Sequence, residues 1–366
     1  MGTKRHLQLY GLCSLLTMAS FGAGSVSAQE NDRFEFYGQV NPGYYIFDDG
    51  VSNTNYLANN DRSNTRIGFW SRDLLNTKGL NFNFETALGV PSSSNVSQVS
   101  EPQWEWNRTK IRKFDLTYET SWGKFYVGQG SMSTDGTAEA DFSGTGLVAT
   151  SAISDDAGSF LFRDTGGALT TRTISDVFQN LDGSRRGRLR FDTASLSGFT
   201  FSGSVGREIL KAGNDNSYYD AAVFYEGNNS DITIEAKLGS AWVDTSAGSI
   251  QQTIGSLAIL HNATGLNGAL SGGLQNSGGQ YIYAKVGVIK NWLGVGATAV
   301  SFDYYKSDGI ALDLIAESVG FGFVQNFADR NFEAYFGLRY YDLSDKTGVV
   351  SYLDANHYAL GARYKF

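Results

Sequence analysis

Few of the residue types that bind metals or do covalent chemistry occur here in a usable arrangement. The histidines His6, His261 and His357 lie far apart, and Cys13 is the lone cysteine. A histidine metal site needs several ligands at suitable spacing, and none appears. A hydrolase needs a nucleophile and a base oriented together, and no serine is singled out beside His261. Gly294-Val295-Gly296-Ala297-Thr298-Ala299 matches a dinucleotide fingerprint only loosely; strand-like residues continue with no helix signal, so it reads as small residues of a strand. No cofactor and no enzymatic activity are expected. What the sequence does offer is opposed charge. Between Gly130 and Ser159 lie Asp135, Glu139, Asp141, Asp155 and Asp156 with no lysine or arginine. Bases recur elsewhere inside strand-like segments: Arg66, Arg72, Lys113, Arg188 and Arg190. Acids and bases facing each other across a narrow, poorly screened gap would set up a transverse field that orients dipolar solutes.

The elements that must position these charges are strands. Leu80, Phe82, Phe84, Thr86 and Leu88 alternate with Asn81, Asn83, Glu85 and Ala87. The same period of two runs through Ile232–Leu238, Phe199–Val205, Phe332–Tyr340 and Tyr358–Phe366. Segments of about ten residues are long enough to cross a bilayer when tilted. Aromatics at segment ends (Tyr37, Tyr44, Tyr45, Tyr340, Tyr341, Tyr364) suit interfacial girdles, and mid-strand charges on the other face suit a wet lumen. Only a closed sheet satisfies its backbone groups in lipid. The expected fold is therefore an all-β transmembrane antiparallel β-barrel.

At Val26-Ser27-Ala28 a basic start and an apolar run end in a signal-peptidase-like site, so residues 1–28 read as a cleaved signal peptide and 29–366 as one barrel domain. That leaves 338 residues, and at about 20 per strand with its loops, roughly 16 to 18 strands. Loss of Lys4 and Arg5 leaves 27 bases against 37 acids, a charge of −10, which disfavours nucleic acid as a partner.

Parity assigns the charges to a face. Ile67 and Phe69 outward place Arg66 and Arg72 inward; Leu189 and Phe191 outward place Arg188 and Arg190 inward. Phe114, Leu116 and Tyr118 outward place Lys113 inward and leave Arg112 open, since a bulge would exchange that pair. Clear alternation lapses over residues 130–159, and a gap of that length is usually functional or disordered.

Four stretches then resemble general porins of the Gram-negative outer membrane: Phe36-Tyr37-Gly38-Gln39-Val40, Thr65-Arg66-Ile67-Gly68-Phe69, Arg188–Asp192 followed by Leu196–Phe201, and Ala362-Arg363-Tyr364-Lys365-Phe366. The resemblance implies 16 strands (18 remaining possible by length), a homotrimer, outer-membrane lipid and lipopolysaccharide as surroundings, and a water-filled channel for passive diffusion of small hydrophilic solutes and ions. It implies that the acidic segment folds into the lumen, with Asp135, Glu139 and Asp141 opposing Arg66 and the parity-assigned Lys113, Arg188 and Arg190. It also implies that Tyr364 and Phe366 are read by the barrel assembly machinery. The alternatives are a substrate-specific channel, to which Trp70 and Tyr335 would contribute, and a plugged structural or adhesive barrel. Near-balanced charge at the gap leads to an expectation of weak ion selectivity, tilting to cations at low salt.

Overall fold

Period-two alternation becomes twenty strands in the computed structural model, which describes residues 33–311 and 313–366. The leader reading over 1–28 lies outside the described residues. The strands are β1 (Phe34–Val40), β2 (Pro42–Asp48), β3 (Asn53–Asn59), β4 (Arg66–Ser71), β5 (Leu80–Ala87), β6 (Ile111–Thr120) and β7 (Gly123–Ser131). After a short hairpin, β8 (Leu161–Arg163) and β9 (Leu169–Thr173), come β10 (Arg185–Thr193), β11 (Phe199–Arg207), β12 (Ser217–Asn228), β13 (Ile232–Thr245) and β14 (Gly248–His261). The chain ends with β15 (Leu266–Gln275), β16 (Gln280–Lys290), β17 (Thr298–Asp308), β18 (Leu314–Phe327), β19 (Phe332–Asp345) and β20 (Ala355–Lys365).

Eighteen of these form one sheet, closed where β20 pairs with both β1 and β2. β1 with β2 make one stave kinked at Asn41, and β3 with β4 make the next, so the barrel has sixteen antiparallel staves. Closure includes the last residue: Phe366 exchanges backbone hydrogen bonds with Gly38 at 2.9 and 3.1 Å. Side chains that alternation sends outward are exposed on staves around the barrel, among them Phe36, Phe114, Leu189, Phe201, Val286, Phe302 and Leu360. Backbone pairing around the ring leaves no free edge, which is what a sheet in hydrocarbon requires.

The second stave is interrupted. Residues 60–65 leave the sheet between β3 and β4 as a short 3-10 excursion, and polar groups of the first stave tie it down. Gln39 and Asn41 both donate side-chain amides to the Ser63 carbonyl at 2.7 Å, and the Asn60 amide N–H donates to the Asn41 carbonyl at 3.0 Å.

The non-alternating segment is longer than alternation alone marks it. It runs from Met132 to Ser184 and includes the β8–β9 hairpin and two single-turn helices, α1 (Ser154–Ala157) and α2 (Ile174–Val177). Its apolar side chains Ile153, Phe160, Phe162, Ile174, Val177 and Phe178 are all buried to within 1 %. They pack inside the barrel on inward-facing aromatics: Phe160 stacks on Phe47 at 4.0 Å, and Phe178 meets Tyr305 and Tyr341 at 5.3 and 5.4 Å. Burying this cluster is what holds a 53-residue connection in the lumen.

Two strand-level expectations are corrected here. Tyr45 and Tyr341 face inward and are buried, and Tyr37 turns inward toward Asn83, so these three are not girdle residues; Tyr44, Tyr340 and Tyr364 do face outward. The loop demanded aromatic partners inside the barrel, and composition alone cannot separate the two uses. Gly294 and Gly296 lie in the turn before β17, both at positive φ (72° and 140°), so residues 294–297 are a turn and only Thr298 and Ala299 of this stretch belong to a strand. Glycine tolerates that backbone where other residues do not.

Candidate functional site: the lumen beside the folded loop

The inserted loop is fastened to one arc of the wall by inward polar side chains. Asp220 on β12 accepts from the Thr134 amide and hydroxyl at 2.9 and 2.7 Å. Ser256 on β14 bridges the Thr137 carbonyl and the Ala140 amide. Lys285 on β16 donates to the Ala149 carbonyl at 2.9 Å and pairs with Asp141 at 2.7 Å. Tyr305 and Ser307 on β17 donate to the Gln179 and Val177 carbonyls at 2.6 and 2.7 Å.

The strongest clamp is ionic. Asp156 in α1 receives two hydrogen bonds from Arg62, both 2.8 Å, and one from Arg339 on β19 at 3.0 Å; Arg339 also forms a fork with Asp303 at 2.8 and 2.9 Å. Arg62 sits on the strand interruption, so the excursion from the second stave reaches across to the loop. Burial by itself would raise the Asp156 carboxyl, but Arg62 and then Arg339 outweigh it and hold it down at about 2. Parallel guanidinium–carboxylate bonds of this kind fix orientation as well as charge.

The opposite arc, β4 to β7 and the start of β10, carries charges that keep access to solvent. Arg66 lies 3.5 Å from Glu85, and Arg112 hydrogen-bonds the same carboxylate at 2.5 Å. Pairing jumps there from Glu85–Lys113 to Thr86–Ile111, so Arg112 is the extra residue of a bulge. The bulge does not exchange Arg112 and Lys113; it brings both to the Glu85 side of the sheet. Arg185, at the loop exit, comes within 3.9 Å of Asp135. Toward these bases from the loop come Asp135 and Glu139, with Asp155 and then Asp61 of the interruption behind Glu139. Glu139 is exposed, yet enclosed by protein, and that enclosure, with Asp135 nearby, raises its carboxyl. Enclosure together with Asp61 pushes Asp155 up to about 8 against the opposing pull of Arg62. Asp182 is pushed up to about 7 by burial and then Glu139, although it accepts the Gly136 and Ala138 amides.

The residues singled out from sequence thus separate into two groups. Arg66, Lys113, Asp135 and Glu139 come together around this gap. Arg188 points inward but is buried, pairing with Asp115 at 2.7 Å and donating to the Gly128 and Ser131 carbonyls. Arg190 pairs with Asp192 and donates to the Met132 carbonyl at 2.8 Å. Both therefore brace the root of the loop. Asp141 sits against Lys285 on the far wall. Arg72 lies at the other rim, paired with Glu35 and stacked on Trp70 at 4.4 Å. Tyr335 is buried with its hydroxyl on the Pro42 carbonyl, so Trp70 and Tyr335 form no ladder. Tyr364 and Phe366 face outward at the seam. Sequence reading left Arg112 open and did not single out Arg185 or Asp61. The Arg185-Arg186 pair at the end of the non-alternating stretch was the available signal.

A family model for Gram-negative porins matches residues 15–366. Among solved structures, the chain is similar to an anion-selective porin from Comamonas acidovorans, with 15% identity over 91% of this chain and 99% of that one and a TM-score of 0.58. It is similar to OprB of Pseudomonas putida, with 10% identity over 91% and 94% and a TM-score of 0.61. In vitro folded OmpT of Vibrio cholerae in its trimer form gives 14% identity over 91% and 99% and a TM-score of 0.52. A comparison with curated sequences gives no match. A closed sixteen-staved barrel, a lumen narrowed by an inserted loop and a match across nearly the whole sequence agree: the chain belongs to the Gram-negative porin family and forms an outer-membrane channel for solute diffusion.

Proposed function

We propose that the passage runs along the arc left free by the loop, and that its narrowest part lies between Arg66, Arg112, Lys113 and Arg185 on the wall and Asp61, Asp135, Glu139 and Asp155 opposite. The observation that carries this reading is the division of lumen charges. On the loop-covered arc Lys285, Asp303 and Arg339 are paired and buried, with Lys237 and Glu235 on β13 paired but partly open, whereas Arg66, Arg112 and Arg185 keep 21 to 34 % of their side-chain surface and Glu139 is exposed. A carboxyl raised to about 8 is mostly neutral at pH 7, so Asp155 contributes little charge there, and the four bases are balanced by Glu85, Asp61, Asp135 and Glu139. The near-balanced charge count read from sequence included Arg188, Arg190 and Asp141, which brace or pair elsewhere. With the charges found at the gap balanced, weak selectivity at neutral pH is the better-supported outcome. The channel acts by diffusion, without covalent chemistry.

A homotrimer fits the outer surface. Staves β5, β7, β10 and β11 have only eight or nine residues against fourteen in β13, β14, β18 and β19. Eight tilted residues fall short of the roughly 9–11 needed to cross the hydrocarbon. This low side carries contiguous outward aromatics, Phe36, Phe69, Phe82, Phe84 and Phe114, with neighbouring rings 5.3–6.5 Å apart. Such a surface suits another copy, while the tall side suits lipid and lipopolysaccharide. Phe366, hydrogen-bonded at the seam, supports a role for the last strand in recognition by the assembly machinery.

Reversal potentials under a salt gradient test the passage. Replacing Arg66 and Arg112 by Gln should move the potential toward cations, and Asp135→Asn with Glu139→Gln should move it toward anions. Unmoved potentials in both pairs would remove these residues from the passage.

A further inference from the structure

A cavity of about 220 Å³ lies where the loop-side ends of β6, β7, β10 and β11 meet. These ends carry the long connections, which in barrels of this kind face the cell exterior. Its lining includes Lys110, Arg112, Arg185, Arg186 and Lys211, and a single carboxylate, Glu208. That acid is already engaged: one oxygen accepts the Leu210 and Lys211 amides at 2.9 and 3.2 Å, and the other is 3.6 Å from Arg186. Arg186 is held in place by Tyr218, 4.2 Å below its guanidinium, and by the Arg185 carbonyl at 2.7 Å. Arg112 is satisfied by Glu85. Arg185 has only Asp135, at 3.9 Å, too far for a hydrogen bond. Lys110 and Lys211 have no ion pair among the described residues, and Nε of both Arg185 and Arg186 is buried without an acceptor.

Five cations around one occupied carboxylate repel one another, and a concave protein wall concentrates their field. Scattered rim lysines would be the plain reading, but they would not bring two arginines into the same recess. We propose that this cavity is a binding subsite for a compact oxyanion with two or more negative charges, such as inorganic phosphate or a short dicarboxylate. The inference rests on the channel reading above and adds a ligand class to it. Its size selects the class, since the cavity is smaller than the roughly 300–1,000 Å³ of sites for larger organic ligands. Anions held here would stand beside Arg185 and Arg112, which also border the narrowest part of the proposed passage.

The test is chloride current through purified protein in a planar bilayer, titrated with inorganic phosphate from the loop side. Phosphate should reduce the current saturably. Replacing Lys110 and Lys211 by Gln should raise the half-blocking concentration about tenfold, the scale of losing charged hydrogen-bond partners. Lys78→Gln, in the turn before β5, makes a similar charge change elsewhere and should leave the half-blocking concentration in place. Normal chloride current with no saturable block, or equal block in the double variant, overturns the subsite and leaves the channel standing. No current at all would overturn both readings.

Discussion

Arg339 and Arg66 both project into the same barrel, yet they do different work. Arg339 keeps 2 % of its side-chain surface and is fully spoken for by Asp303 and Asp156. Arg66 keeps 23 % and shares Glu85 with Arg112 at the longer distance of 3.5 Å. The loop-covered arc spends its charges on holding the loop, and the free arc leaves its charges facing water. An inward arginine is therefore not open to the lumen by position alone; burial and partners decide how much of its charge faces water.

The largest expected break in this comparison comes from Asp156→Ala, which leaves Arg62 and Arg339 buried beside a missing partner. Removing one member of a buried ion pair costs about 3–5 kcal/mol. Conductance steps should become larger and noisier as the loop loosens, and the unfolding midpoint in detergent should fall. A variant with wild-type midpoint and quiet steps would show that the clamp is dispensable.

Gly183→Ala attacks the same loop at its exit. A β-carbon there would stand 2.5 Å from the Thr134 carbonyl carbon, where the two legs of the loop cross. Relieving that overlap should cost about 1–3 kcal/mol, read as a lower midpoint with altered conductance, while Gly203→Ala on the outer face, with open space around it, serves as the neutral comparison.

Selectivity sharpens the contrast between arcs. Arg188→Gln should reduce stability by leaving Asp115 buried and unpaired, yet shift the reversal potential much less than Arg66→Gln does. The reverse ranking would mean that Arg188, not Arg66, faces the passage.

The smallest effect is in pH. Asp155, raised to about 8, charges as pH climbs from 7 to 9, so selectivity should shift toward cations over that range, and Asp155→Asn should flatten the profile. Stability runs the same way: the folded state holds this proton longer than the unfolded chain, so stability falls between about pH 4 and 8. Asp156, held at about 2, has the opposite sign; its contribution is full above about pH 4 and lost as pH falls through 2. Reversal potentials and midpoints measured across pH 3–9 would separate the two.

Much of the barrel was legible because lipid imposes a strict rule. Each stave must alternate, and Phe199–Val205 or Tyr358–Phe366 does so without interruption. The inward placement of Arg66 and Lys113, and of Asp135 and Glu139 on the inserted loop, was also legible, from parity and from a stretch without bases. Arg188, Arg190 and Asp141 were misjudged for one reason: parity names a face, and cannot say whether a carboxylate or carbonyl will meet the side chain there. Tyr45 and Tyr341 show the same limit for aromatics.

By itself the sequence determined the class of fold, the inward and outward faces of its strands and the existence of a long acidic connection, because these follow from a local period of two and from composition. Only the tertiary structure decided which arc of the wall the loop would cover. That choice depends on contacts between residues far apart in the chain, such as Arg62 with Asp156 and Phe47 with Phe160, and these long-range contacts divide inward charges into those that brace the loop and those left open to the lumen.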